Sequence, residues 1–429
     1  MGLSNLFKRM LGSKDMPAIS DRPFDVKPQP ASETPQSHRA TQREPQVMIH
    51  REEMLDGRSR IAGYRFSLAQ RADNAAPDAA GLVNALLDEN FVAFAQRRVA
   101  LVQVSVQEWW AGRYQGLVAP QAFFLVAITS GGPDMTTLVK LLTDIRAAGA
   151  KTALPGALLS DCPELAPLID LVLLDLRAYS LENFERLVRR LARAYPGIAI
   201  AADGVQSWAE HRMCQSMGVR YSLGGFAAQP DSQNTDDRLN QSRLVVIEML
   251  NLLRREAEMS ELAEVAKRDP AITMQVIAMA NSPAAGLASP VASLDQAIMV
   301  LGRDAVYRWL SLSLFRAGTG GGRDEALLEL ALRRGRFLEL IAADLQSKKT
   351  SDELFLVGVL SLLDSLLGLP MPRVLDKLNL PQHVTDVLLK SEGPYSRYLM
   401  LALAVEKGRI EQAERLAHVL EIELDLLEP

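Results

Sequence analysis

The feature that most constrains the fold is a series of short, continuous apolar segments between residues 46 and 230. Five of them are typical of buried strands: residues 99–106, 122–128, 170–176, 197–203 and 221–226. They are apolar throughout rather than alternating in polarity, as is typical of parallel strands covered on both faces. Helical patterns separate them, including one that starts at Ser180. This alternation of strands and helices predicts a compact α/β barrel.

A polar stretch at residues 229–243 predicts a boundary between two domains. Beyond it, nearly every segment has helical periodicity. The predicted fold class is therefore α/β plus all-α, with domains at 46–230 and 240–429. A length of 429 residues agrees with two domains, because one hydrophobic core rarely serves so long a chain. We interpret the glycine-rich residues 318–323 as a joint between helical lobes, because they follow a helix rather than a strand.

The first 45 residues differ from both domains. Residues 1–14 place five apolar side chains on one helical face, apart from three basic ones: Leu3, Leu6, Phe7, Met10 and Leu11, against Lys8, Arg9 and Lys14. This pattern predicts a basic amphipathic helix that contacts a membrane surface or a partner. The alternative is a partly helical tail, since so short a helix is marginal alone in water. Residues 15–45, rich in Pro, Ser and Gln, predict a disordered tether.

Charge and cysteine content narrow the classes of function. The formal net charge of −5 provides no broad basic surface, which argues against nucleic-acid binding as the main activity. The two cysteines, Cys162 and Cys214, have no CxxC spacing and fit a reducing cytoplasm. No apolar run is long enough to span a membrane. We therefore expect a cytoplasmic protein, with peripheral membrane contact through residues 1–14 as an open alternative.

Several motifs in the second domain carry a family resemblance. Its key positions are an Asp-Pro pair, an Asn-Ser pair, a serine that begins a helix, and a glycine before a tryptophan-bearing helix: Asp269, Pro270, Asn281, Ser282, Ser293, Gly302 and Trp309. Asp269 and Pro270 are also a helix start, and Ser293 with Gln296 is a capping box. In this order the motifs resemble the HDOD family. The resemblance implies a helical domain related to the HD metal-dependent phosphohydrolases.

An HD hydrolase needs neighbouring His and Asp ligands. None of the five histidines is followed by Asp: His38, His50, His211, His383 and His418. We therefore expect no metal in this domain and a function through protein contacts.

The first domain resembles the EAL family of cyclic di-GMP phosphodiesterases, which hold divalent metals on carboxylates at the ends of the barrel strands. The matching positions here are Arg65, Gln103, Pro155, Gly156, Leu173, Asp175, Asp203, Gln206 and Leu223. By this resemblance Arg65 replaces the first metal-binding carboxylate, and the paired-Asp loop becomes residues 153–156. Leu173 replaces a lysine, and Leu223 replaces a glutamine. Only Asp175 and Asp203 retain a carboxylate, so we expect an inactive barrel without metal or other cofactor.

Three hypotheses for function follow. The first is a non-catalytic scaffold or adaptor that binds proteins and, by resemblance, belongs to cyclic di-GMP signalling and the regulation of motility or gene expression. The second is a receptor in which the inactive barrel binds cyclic di-GMP, with Arg65, Arg71 and Arg98 as candidate phosphate contacts. Such scattered arginines are more often solvated surface residues. The third is residual phosphodiesterase activity dependent on Asp175 and Asp203.

Overall fold

A computed structural model describes residues 48–68, 79–88, 90–126, 134–231, 240–282, 290–317, 321–343 and 347–422. The predicted amphipathic segment 1–14, the predicted tether at 15–45 and Arg71 lie outside the described residues. So does most of the predicted boundary at 229–243, since residues 232–239 are not described.

The described part of the first half folds into a closed barrel whose strands are hydrogen-bonded in sequence order. The strands are β1 (Ile49–Asp56), β2 (Ile61–Leu68), β3 (Val99–Val104), β4 (Ala122–Val126), β5 (Lys151–Pro155), β6 (Leu171–Asp175), β7 (Ala199–Asp203) and β8 (Tyr221–Leu223). Strands β2 to β8 are parallel, whereas β1 is antiparallel to both of its neighbours, β2 and β8. The predicted barrel is confirmed, with a reversed first strand that the sequence did not predict.

Helices cover the outside of the barrel: α1 (Ala79–Asp88), α2 (Phe91–Ala95), α3 (Val106–Trp110), α4 (Met135–Ala147), α5 (Gly156–Asp161), α6 (Leu181–Ala194) and α7 (Trp208–Ser216). Capping side chains begin several of them. The Ser180 hydroxyl accepts from the backbone N–H of Asn183 at the start of α6, and Asp134 does the same for Thr137 at α4. These caps satisfy amide groups that have no partner within the helix.

Apolar side chains fill the barrel interior below its mouth. The buried set is Met54, Val99, Leu101, Phe123, Ala153, Leu171, Leu173, Ala201, Tyr221 and Leu223. Side chains on a strand alternate between its two faces, so residues two positions further along point the same way. This alternation directs Gln103, Asp175 and Asp203 toward the mouth, at the carboxyl ends of β3, β6 and β7.

The second half is helical: α8 (Gln241–Arg254), α9 (Met259–Ala266), α10 (Pro270–Ala280), α11 (Leu294–Leu301), α12 (Arg303–Arg316), α13 (Gly322–Ala343), α14 (Lys348–Leu360), α15 (Leu363–Leu367), α16 (Met371–Leu375), α17 (Gln382–Lys390), α18 (Ser396–Glu406) and α19 (Ile410–Leu420). Within the described residues, no helix is both long and apolar enough to cross a membrane.

The motif positions of the helical half act as local structural signals. The Asp269 carboxylate accepts from the backbone N–H of Ala271 and begins α10, with Pro270 in the first turn. Ser293 caps α11, and Gly302 ends it with a φ of 81°. Trp309 is buried on α12. These positions therefore cap and pack helices.

The two halves share one hydrophobic core, because buried residues of both belong to the same continuous cluster. Of the predicted joint at 318–323, residues 318–320 lie outside the described residues, and α13 begins at Gly322. A Cβ atom at Gly322 would lie 1.8 Å from the carbonyl oxygen of Arg58, in the turn between β1 and β2. The Ser365 hydroxyl donates to the carbonyl of Ala228, just past the barrel. The helical half therefore packs closely against the β1–β2 end of the barrel.

Candidate functional site: the barrel mouth

The barrel mouth contains an arginine held between two carboxylates. Arg65 on β2 lies opposite Glu52 on β1 in the antiparallel register. One guanidinium nitrogen of Arg65 donates to Glu52, and the other donates to Asp203 on β7 at 2.6 Å. The three side chains are partly buried, with exposed fractions of 28% for Arg65, 16% for Glu52 and 19% for Asp203. We call this group the mouth triad.

The mouth triad fixes its arginine in the charged state. Burial opposes the charge of Arg65, but the carboxylates of Glu52 and Asp203 outweigh it and raise the pKa of the guanidinium. Asp203 also accepts from the backbone N–H of Gly204 through its other oxygen. Both oxygens of this carboxylate are therefore hydrogen-bonded within the protein.

Asp175, the other carboxylate expected at the mouth, lies beside Asp203 in the register of β6 and β7. One of its oxygens accepts from both the backbone N–H and the side-chain Nε of Arg177, at 3.0 and 3.2 Å. Its side chain is 48% exposed, so this pairing is weak in free energy. Each retained carboxylate of the predicted site nevertheless faces an arginine.

The remaining predicted positions are divided between the barrel interior and the strand ends. Leu173 and Leu223 are buried in the barrel interior, where neither offers a polar atom from its side chain. Gln103 is exposed at the end of β3, and its backbone carbonyl accepts from the Tyr114 hydroxyl. Gln206 is exposed after β7, and its backbone N–H donates to Glu210.

The position assigned to a paired-Asp loop is not a loop. Residues 153–155 are the end of β5, and Gly156 begins α5 without an intervening turn. A Cβ atom at Gly156 would lie 2.2 Å from a terminal side-chain carbon of Leu174, so a larger residue there would require the Leu174 side chain to move. The segment assigned to that loop is therefore the end of a strand and the start of a helix in this chain, because the helix starts directly after Pro155.

Sequence reasoning missed Glu52. Strand β1 was not predicted, because its segment IHREEMLD carries charges on both faces rather than a continuous apolar run. The signal that could have found Glu52 is the short turn between Asp56 and Ile61, which indicates a hairpin; the pairing of Glu52 with Arg65 also depends on a register shift between Met54 and Leu55.

The outer face of the same hairpin carries a second set of charges, which join the barrel to α13. The Tyr64 hydroxyl donates to Glu329 at 2.5 Å, and Arg98 donates to both oxygens of Glu329 at 2.6 and 2.8 Å. Nearby, Arg333 donates to Glu53 at 3.2 Å, and its guanidinium lies 4.9 Å from the centre of the Tyr64 ring. We call these five residues the junction cluster.

Arg98 was a candidate phosphate contact in the barrel, but it belongs to the junction cluster. Its guanidinium also donates to the carbonyl of Ile61, so Arg98 is committed to the contact between the two halves rather than to the mouth. Burial opposes the charge of Glu329, but Arg98 outweighs it and lowers the pKa of this carboxyl group. Burial raises the pKa of Glu53 to about 7, against the opposing charge of Arg333.

Across the described residues, no three His, Cys, Asp or Glu side chains converge closely enough to hold a metal ion. His383 lies 2.9 Å from Glu353, which also accepts from the Tyr395 hydroxyl, so this histidine belongs to a packing contact between α14, α17 and the start of α18. His211 is fully buried on α7, with its Nε2 3.1 Å from the Ser59 hydroxyl.

Comparison with known families identifies the larger part of the helical half, since residues 241–371 match the HDOD domain family. These residues form an HDOD domain. The match begins at the first residue of α8 and includes α10 to α12, where the predicted motif residues lie. It confirms the resemblance that those residues carry.

Two curated proteins are similar to this chain. A cyclic di-GMP phosphodiesterase, CdgJ of Vibrio cholerae, is 23% identical over 387 residues, which cover 88% of each protein. An uncharacterized protein, YuxH of Bacillus subtilis, is 25% identical over 230 residues, or 53% of this chain and 56% of that protein.

The N-terminal region matches solved structures of EAL domains. An EAL domain protein from Listeria monocytogenes has 14% identity and a TM-score of 0.32, covering 42% of this chain and 86% of that one. BlrP1 of Klebsiella pneumoniae, in complex with manganese and cyclic di-GMP, has 17% identity and a TM-score of 0.33, covering 43% of this chain and 57% of that one.

Proposed function

We propose that this chain is a non-catalytic adaptor in cyclic di-GMP signalling, with a barrel that does not hydrolyse the nucleotide. The observation that carries the proposal is the mouth triad, in which the Arg65 guanidinium lies between Glu52 and Asp203. In the resembling family, the position of Arg65 belongs to a carboxylate that binds metal. A cation at this position repels a divalent metal at short range and occupies the carboxylates that would bind it.

The composition of the strand ends supports the same proposal. Hard divalent cations need several oxygen ligands, and a bound water must be ionised before it can attack phosphorus. Leu173, Leu223 and Pro155 supply no side-chain oxygen to the site. Asp175 and Asp203 remain, and each is bonded to an arginine.

A hydrolysis assay tests this proposal directly, because the similar protein CdgJ is named a phosphodiesterase. The purified full chain is incubated with cyclic di-GMP and either magnesium or manganese, and linear dinucleotide is measured. We expect no product above that of an Asp175→Asn/Asp203→Asn variant. Turnover by the parent chain that disappears in this variant would show that the barrel is an enzyme.

The adaptor function requires a surface for a protein partner, and we propose that exposed apolar residues of the HDOD domain supply it. Met274 on α10 is 72% exposed, and Met299 on the neighbouring α11 is 71% exposed, next to the 42% exposed Val300. Methionine is flexible and polarisable, and it is common on surfaces that bind other proteins. We therefore propose that these exposed side chains take part in partner binding.

The partner surface is tested by affinity purification from the native cell with the full chain as bait. A Met274→Glu/Met299→Glu variant is compared with Leu181→Glu/Val419→Glu, which places the same charges at exposed apolar positions elsewhere. We expect a specific partner that is lost only in the first variant. Equal recovery with both variants would place the partner on another surface.

A second candidate function is a cyclic di-GMP receptor. It is favoured by the openness of the mouth, where Gln103 and Asp175 are exposed and Arg65 keeps a 28% exposed side chain. Arg98 does not contribute, because it belongs to the junction cluster. Titration calorimetry of the full chain with cyclic di-GMP tests this function. A heat of binding that is lost in the Arg65→Gln variant would support a receptor over a barrel that binds no nucleotide.

We further propose that residues 1–14 contact a membrane surface peripherally. Their predicted stripe of apolar residues beside Lys8, Arg9 and Lys14 fits the interface of an anionic bilayer. One such contact is weak by itself, and stable attachment usually needs a second.

A further inference from the structure

Helix α6 carries a row of four arginines on the outside of the barrel: Arg186, Arg189, Arg190 and Arg193. At 3.6 residues per turn, these positions fall within an arc of roughly 100° on the helix surface. Phe184, Val188 and Leu191 are buried on the opposite side of the same helix. The core contacts of α6 therefore turn its arginines directly outward. We call this row the arginine stripe.

The charges of the arginine stripe are only partly balanced. Arg186 pairs with Glu182, and Arg189 pairs with Glu185, both one turn away on the exposed helix surface. Among the described residues, no acidic side chain lies within ion-pair distance of Arg190 or Arg193. The stripe is thus a local excess of positive charge on a chain whose net charge is −5.

The shape of the arginine stripe indicates an extended ligand. A depression of about 570 Å³ lies among the four arginines and Ala194. All of its lining residues belong to α6, so no second element closes it as the wall of a pocket. Small ligands usually bury most of their surface in concave sites, which this depression does not provide. An exposed helix that presents guanidinium groups suits a flat array of phosphates.

We propose that the arginine stripe is a membrane contact that binds the phosphates of anionic lipid headgroups. The proposal rests on the proposed contact of residues 1–14, because it provides the second of two weak attachments. Basic residues near an anionic bilayer each add to binding through its surface potential, and two attachments on one chain reinforce each other. The tether predicted from sequence for residues 15–45 would span about 30 Å, so the two contacts need not be adjacent.

Co-sedimentation with lipid vesicles tests the proposal on the full chain. One set of vesicles is phosphatidylcholine alone, and the other also contains phosphatidylglycerol. The variants are Arg190→Gln/Arg193→Gln in the stripe, a matched Arg397→Gln/Arg415→Gln pair at exposed sites of the helical half, and a deletion of residues 1–14. Thermal unfolding confirms that each variant is folded.

We expect the parent chain to bind only the vesicles that contain phosphatidylglycerol, and about 0.5 M salt to release it. The stripe variant should bind about 30-fold more weakly, because two headgroup contacts are removed, while the matched pair should bind like the parent. Deleting residues 1–14 should weaken binding and leave a remainder that still depends on the stripe.

Three results would overturn the proposal. The first is equal binding by the stripe variant and the parent. In that case residues 1–14 would account for all of the binding, and loss of binding on their deletion would not support the stripe. The second is no binding of the parent to anionic vesicles, which would remove both contacts. The third is binding of a short RNA, in the absence of vesicle binding, that depends on Arg190 and Arg193.

Discussion

The inner and outer faces of the β1–β2 hairpin use the same kinds of residue for different purposes. On the inner face, Arg65 meets Glu52 and Asp203, all within the barrel. On the outer face, Arg333 of the helical half meets Glu53 of the barrel. The two arginines are equally accessible, with 28% and 27% of their side chains exposed, and so are the two glutamates, with 16% and 14%.

The two faces therefore do not differ in how buried their charged residues are. They differ in which parts of the molecule the ion pairs connect. All three residues of the mouth triad belong to the barrel, so substituting one of them should leave the packing of the two halves intact. The junction cluster spans both halves, and Tyr64, Arg98 and Glu329 extend it across α13 and the barrel. Losing one of its members removes contacts from two domains at once. Four predictions test this difference.

The largest expected effect is on the outer face. Glu329→Ala should lower the free energy of unfolding by about 4 kcal/mol, because it leaves Arg98 and the Tyr64 hydroxyl without their acceptor and removes a charge near Arg333. Urea unfolding measures the change. Glu325→Ala, an exposed position on the same helix, is the control and should stay within about 0.5 kcal/mol of the parent. Equal losses in the two variants would mean that the junction cluster contributes little.

The next effect concerns His211, which contacts the turn of the hairpin through Ser59. Burial and the nearby Arg212 lower the pKa of this histidine to about 4, so the folded protein favours its neutral form. Its stabilising contribution is present above the unfolded pKa of about 6.5. It should fall by about 3 kcal/mol as pH drops to 4.

Urea unfolding between pH 7 and 4 checks this sign. His211→Gln should give a shallower loss of stability over the same range, because glutamine does not titrate. His418→Gln, on an exposed part of α19, provides the control and should keep the parent slope. A parent slope that survives in His211→Gln would assign the acid sensitivity to other groups.

A smaller effect is expected on the inner face. Arg65→Met leaves Glu52 and Asp203 facing each other without a cation, and should cost about 2 kcal/mol in unfolding free energy, because the triad lies within the barrel and its loss removes no contact between the two halves. Adding Glu52→Gln should recover part of the loss by removing the repulsion. If the double variant is no more stable than Arg65→Met, the mouth triad is not an electrostatic unit.

The smallest effect is the loss of one hydroxyl from the junction cluster. Tyr64→Phe removes the hydrogen bond to Glu329 while keeping the ring under Arg333, and should cost about 1 kcal/mol. Tyr179→Phe is the control, because Tyr179 is only partly buried. A loss at Tyr64 no greater than at Tyr179 would leave Glu329 to act through Arg98 alone.

The parts of the fold that local sequence determines were predictable. Ser180, Asp269 and Ser293 each accept a hydrogen bond from an amide two or three residues later, so their helix starts follow from a few neighbouring positions. The barrel strands that are covered on both faces by apolar residues were also predictable, because each is a short continuous apolar run in the sequence. Strand β5 was missed, since its segment KTALP is short and begins with a lysine.

The candidate site depends on contacts between distant positions, which one sequence does not reveal. Asp203 was expected at the mouth, but its partner Arg65 lies 138 positions away. Strand β1 was missed because its outer face meets charged residues of α13 instead of an apolar layer, so its charges resemble those of a loop. That the nine predicted site positions no longer support catalysis stays a prediction.

The close contact at Gly322 has a consequence for exchanging these halves between proteins. Because a Cβ atom there would collide with the backbone oxygen of Arg58, the turn between β1 and β2 and the first residue of α13 must fit each other as a pair. A chimaera that joins this helical half to another barrel would need a glycine at the same place and a turn of the same shape. The two halves are separate in sequence, but they are not interchangeable building blocks.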